Sequence, residues 1–257
     1  MKSVQFGKKF YNVPECWNEL TLNQLLKIVP MLFGEITFRQ RLKIFRILTG
    51  LPWSRFVRLH PDEIADKLYL SDFLFEKITL TKMPMKRYRG LYAPGDSFCN
   101  LRGKESAFTD AYYNGVGVTQ STLTVESIEA LNSLVACLFR PKKKGYDMKL
   151  NSDGDCRVPF NANVVPYFSR KICRWPLNRK LIVYLWYTGC TNELVELNPK
   201  VFSSSGEVAI YGMWSVMRSI AKEAAHGDFS KVEEMYFPEI IMEINASINE
   251  AEKAERR

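Results

Sequence analysis

The stretch 125–139 constrains the fold more than any other part of the chain. Ile128, Leu131, Leu134, Val135 and Leu138 recur at spacings of three and four, with Ala130, Ala136 and Cys137 on the flanks. That is the period of an α-helix, and a helix apolar on most sides has to be an interior element. Thr124 stands where a capping side chain is wanted, and Arg140-Pro141 stops the run.

The same period recurs along the chain. Thr21 precedes Leu22, Leu25, Leu26 and Val29, with Pro30 kinking or ending that helix. Phe38, Leu42, Phe45 and Thr49 share a face before Gly50 and Pro52, and Arg39, Lys43 and Arg46 form the opposite stripe. Pro61 opens a further helix, with Asp62 and Glu63 in its first turn. Helices follow at 105–113 and at 177–187, where the run IVYLWY fits a buried strand as well; the neighbouring pattern favours helix. Ile210, Trp214, Met217 and Ala221 stripe another helix, and Asp228 caps a last one, interrupted near Pro238.

The opening MKSVQFGKKFYNVP alternates around a glycine and reads as a short β-hairpin. Two stretches, 84–103 and 140–165, have turn residues and little period, so both are expected to be long loops. The expectation is a mainly α, multi-helix globular fold with a short N-terminal hairpin and those two loops. It is treated as a single helical domain over 1–257, with 1–83 and 104–257 as the natural subdivision.

At 257 residues and 46% apolar composition the chain can bury a substantial core. No apolar run approaches the roughly 20 residues of a membrane span. The N-terminus has no apolar core of a secretory signal. Six dispersed cysteines without a CxxC pair read as reduced thiols, several of them core filler, in a cytosolic setting.

Catalytic and metal signatures fail one by one. In NSDGDC the residues Asn151, Asp153 and Asp155 begin like a calcium loop, but Cys156 replaces the required glycine and Ala162 the bidentate glutamate. His60 and His226 are far apart and belong at helix ends. Gly115 and Gly117 follow a helix where a dinucleotide loop would follow a strand. No nucleophile elbow, phosphate loop or zinc-protease motif is present. The expectation is a non-enzymatic protein with no cofactor and no metal.

Charge is distributed unevenly. Between Arg140 and Lys180 eleven bases face three acids, a net of +8, whereas from Lys222 onward five bases face nine acids, a net of −4. Such asymmetry concerns partners. Lys142, Lys143, Lys144, Arg170, Lys171, Arg174, Arg179 and Lys180 are therefore candidate nucleic-acid contacts, with Tyr88, Tyr92 and Trp175 interspersed among bases as stacking residues would be. A solvated surface with snorkelling side chains is the competing explanation. Ile241, Ile244 and Ile248 form a narrow seam near the C-terminus, suited to the chain's own core or to docking on another subunit.

Several landmarks resemble proteins of tailed bacteriophages and prophages: VPECWNELTLNQLL at 13–26, LYAPGDSF at 91–98, LVACLFRP at 134–141, RVPF at 157–160 and NPKVF at 198–202. The resemblance implies a virion or virion-assembly protein, similar to the tail-assembly chaperones that hold a tape-measure protein, or else a structural tail or connector component. It implies a phage protein partner, self-association, and residence in the host cytoplasm or the virion.

Overall fold

The structure is a computed structural model and describes residues 1–117, 123–147, 154–203, 214, 217, 218, 220–222 and 228–255. Strands β1 (Lys2–Phe6) and β2 (Lys9–Val13) pair antiparallel, Val4 opposite Tyr11, and press Val4, Phe6 and Val13 into the core. Helices α1 (Leu22–Leu32) and α2 (Phe38–Thr49) each begin with a reciprocal cap. Thr21 and Gln24 bond one another across the first turn of α1, and Thr37 and Gln40 do the same in α2, satisfying amide hydrogens that the helix leaves unpaired. Short helices α3 (Trp53–Phe56) and α4 (Pro61–Ala65) follow.

Among the described residues the centre is α8 (Leu177–Leu197), so the IVYLWY run is helical. Leu181, Ile182, Val183, Leu185, Trp186, Tyr187 and Cys190 are all buried on it. Gly189 lets α8 lie directly on the extended chain at Leu80: a Cβ there would come within 2.4 Å of the Leu80 carbonyl oxygen. Trp186 donates its indole N–H to the Thr81 carbonyl at 2.9 Å, fixing the same crossing. Around α8 pack α1, α5 (Gly103–Val116), the apolar α6 (Val125–Leu138) and α9 (Pro199–Ser203); α7 (Val165–Ile172) lies against α6. The chain closes with α10 (Phe229–Glu234), capped by Asp228, and α11 (Phe237–Glu255). One apolar core runs from Val4 to Ile241 and includes residues on both sides of position 84. A smaller cluster of Ala107, Met217, Ile220, Val232 and Ile240 sits beside it. The mainly α reading thus holds; Ile210 of the 210–221 stripe lies outside the described residues.

The two expected loops are largely irregular, but they are not independent of one another. Stretches 84–103 and 140–165 find each other: β3 (Arg87–Tyr88), β4 (Leu91–Tyr92) and β5 (Arg140–Pro141) form a three-stranded antiparallel sheet. Leu91 faces Tyr88 on one side and Pro141 on the other. Lys142 bridges to Arg157, and Lys143 N–H donates to the Cys156 carbonyl at 2.8 Å, so the pairing continues past β5. Each strand is too short to show a period of two, which is why sequence alone gave only turn signals.

Candidate interaction surfaces

Four charged side chains anchor this sheet to the helices. Glu105 of α5 is fully buried and accepts from Arg157 Nη1 at 2.7 Å and from Arg140 Nη2 at 2.9 Å. Asp155 accepts from Arg157 Nε at 2.8 Å, Nη2 at 3.0 Å and the Arg157 amide at 3.0 Å. Arg157 also donates to the carbonyls of Leu138 at 2.8 Å and Asn100 at 3.2 Å. Burial opposes the charge on Arg157, and Glu105 and Asp155 more than offset it, holding its pKa above the ordinary arginine value. For Arg140 burial prevails over Glu105 and shifts the pKa down. Its Nε and Nη1 have no partner among the described residues. Two cations and two anions make a neutral buried set, whose role is to clamp the 140–158 segment to α5 and the end of α6.

Asp155 is taken by arginines and is not the third ligand of a calcium loop; Asn151 and Asp153 lie outside the described residues. Among the described residues no cluster of His, Cys, Asp or Glu could hold a metal ion. His60 is exposed, 3.1 Å from Asp62, and His226 lies outside the described residues. No described helix is long and apolar enough to cross a membrane. The cysteines are free, with Cys137 and Cys190 buried; burial pushes both thiols well above the ordinary range.

The contact residues read from sequence separate into two groups. Ile241 is 2% exposed in the core, and the partly buried Ile244 and Ile248 pack against that core, so the seam serves the chain's own interior. Lys180 is likewise withdrawn: it is 3% exposed and donates to Asn132 Oδ1 at 2.8 Å. By contrast Lys142, Lys144, Arg170, Lys171 and Arg174 are exposed, with Lys143 and Arg179 half-buried.

A surface that sequence reading missed lies at the α1–α2–α3 end. Gly50 ends α2, and Pro52 turns the chain so that α3 folds back against it. Trp53 stacks on Phe56 with centroids 6.0 Å apart, and the Arg46 guanidinium lies 5.5 Å over the indole. Trp53 nevertheless stays 63% exposed, at the edge of a groove of about 670 Å³ floored by Leu42 and Phe56. Arg39, Lys43 and Arg46 form its rim; Glu35 stands at one end. Glu35 also lines a second cleft of about 720 Å³, walled by Phe33, Ile36, Phe75, Ile78 and Tyr184. The exposed Ile36, Phe38 and Phe75 belong to the same end of the molecule. The sequence signals were the Arg39–Lys43–Arg46 stripe, which forms the rim, and Trp53 directly after a helix-stopping Gly-Leu-Pro.

No known protein family, curated protein or solved structure matches the chain. The assignment of a role therefore rests on these surfaces.

Proposed function

We propose that the chain is a non-enzymatic phage virion or tail-assembly protein that works by protein–protein contact, holding an apolar helix of a partner in the paired clefts around α2. The observation that carries this reading is the apolar surface from Trp53 across the 33–37 turn to Phe75, bordered by Arg39, Lys43 and Arg46. Exposed apolar surface with a polar rim marks a site for another protein. A helix would seat its apolar face over Leu42, Trp53 and Phe56, and acidic residues on its flank would pair with the rim. Such charges set register and encounter rate more than affinity. The phage assignment is supported by the sequence resemblance.

The test is a photo-crosslinking amino acid placed at position 53 in phage-producing cells, with position 10 in the β1–β2 turn region as the control. Phe10 is also exposed but lies away from the clefts. The expected product is an adduct with a tail or virion protein from position 53 alone. Adducts of equal yield from both positions, or none from 53, overturn the reading.

A further inference from the structure

Several exposed basic residues, Arg87, Arg89, Lys142, Lys171 and Arg174, gather where the three-stranded sheet meets the α7–α8 junction, and we infer that this face binds single-stranded nucleic acid through its phosphate backbone. The inference is independent of the α2 clefts.

The convergence is visible in direct contacts between segments distant in sequence. Tyr88 meets Trp175 edge-on at 4.7 Å, and the Arg179 guanidinium lies 4.2 Å over the Tyr88 ring. Arg89 Nη1 donates to the Arg174 carbonyl at 3.4 Å. Lys142 directly follows Pro141, which pairs with Leu91 beside the Arg89–Gly90 turn. Arg87, Arg89, Lys142 and Arg174 thereby share a neighbourhood, and Lys171, in the last turn of α7, stands three residues before Arg174.

The aromatic rings act here as posts for cations. Arg87 lies over Tyr92 at 5.1 Å, Lys171 over Tyr167 at 4.3 Å, and Lys142 and Lys143 each 5.8 Å over Tyr146. A cation held on a ring has lost part of its rotamer freedom before any ligand arrives. Among the described residues, Asp96 is bonded to Lys86 and Asp155 is buried with its arginines, while Asp147 is exposed. Rows of arginine forks and lysines spread over a sheet edge fit successive phosphates better than a compact acidic peptide, which would also need an apolar anchor.

Arg89 adds a second observation. It and Gly90 have φ of 47° and 80°, a two-residue turn in which Asn or Asp is the ordinary choice at the first position. An arginine stands here on a strained backbone, with its guanidinium 5.6 Å over the Tyr88 ring and donating to the Arg174 carbonyl.

The test is fluorescence anisotropy of labelled oligothymidine and of a mixed-sequence single strand with the full-length protein. Six phosphate contacts give a log–log salt slope of about −4, a loss of roughly 300-fold in affinity between about 50 and 200 mM salt, similar for both sequences. Arg89→Asn relaxes the turn, so it should melt at the same or a higher temperature while binding more weakly, with a slope smaller by about 0.7. Lys171→Gln with Arg174→Gln should weaken binding further, and Trp53→Ala should leave it unchanged. No complex at low salt, undiminished binding by Arg89→Asn and the glutamine pair, or binding of phosphatidylserine vesicles or polyglutamate with the oligonucleotide ignored, would each overturn the inference.

Discussion

Replacing Glu105 with glutamine changes the charge of the buried cluster and almost nothing of its shape. In the parent, Glu105 takes three donors, Arg157 Nη1 and Nη2 and Arg140 Nη2, at 2.7, 3.4 and 2.9 Å. The glutamine keeps one acceptor oxygen but turns an NH₂ toward guanidinium donors, leaving two arginines to share Asp155. Breaking a buried pair on one side costs about 3–5 kcal/mol, a large share of the roughly 5–15 kcal/mol by which domains are stable. Arg140 is the cheaper cation to remove, since only its Nη2 is bonded. Arg140→Met in the Glu105→Gln background restores neutrality, with Arg157 and Asp155 still paired. The double variant should therefore be less destabilised than the two single losses added together, by about 0.5–3 kcal/mol. Urea unfolding followed by the fluorescence of buried Trp17 and Trp186 measures all four corners of the cycle. Strict additivity, or a Glu105→Gln loss below about 1 kcal/mol, would refute the claim that charge balance holds the sheet on α5.

Three further outcomes follow from the geometry. Gly189→Ala places a methyl within 2.4–2.7 Å of Leu80 backbone atoms, so thermal denaturation should show a loss of about 1–3 kcal/mol, in contrast to the gain a helical alanine usually brings. Burial raises the Asp96 carboxyl, but Lys86 and the Met83 amide outweigh it and hold its pKa below the ordinary carboxylate value. Its stabilising contribution is thus present above the unfolded pKa and fades as pH falls through the folded one; Asp96→Asn should flatten the acid limb of the stability–pH profile. Finally, iodoacetamide with peptide mapping should modify the exposed Cys16 and Cys173 in the native state and reach the buried Cys137 and Cys190 only after denaturation.

The helices were legible because their signals are local. Thr21, Thr37, Thr124 and Asp228 each accept from a backbone amide three residues on, and Gly50 and Gly117 stand at helix ends. Thr37 was not picked out from sequence, although it has the same spacing to a glutamine as Thr21. Long-range features left no local trace. Phe38 continues the Leu42–Phe45 face in sequence, yet as the first residue of α2 it is 69% exposed. Arg140 and Arg157 counted toward a basic surface, and only the partners at positions 105 and 155, brought by other elements, show that they are interior. The two irregular stretches resembled loops because two-residue strands owe their pairing to each other. The basic face was readable in composition, including the KRYRGLY stretch that carries Arg87 and Arg89, but Lys180 of the 140–180 run faces inward on α8.

The Glu105–Arg140–Asp155–Arg157 set also limits how this sequence can drift. Losing the charge at any one of the four positions leaves an unbalanced charge in the interior, whereas paired changes that delete one cation with one anion do not. Relatives of this chain should therefore inherit these positions as a bloc, or exchange them two at a time for apolar residues of similar volume.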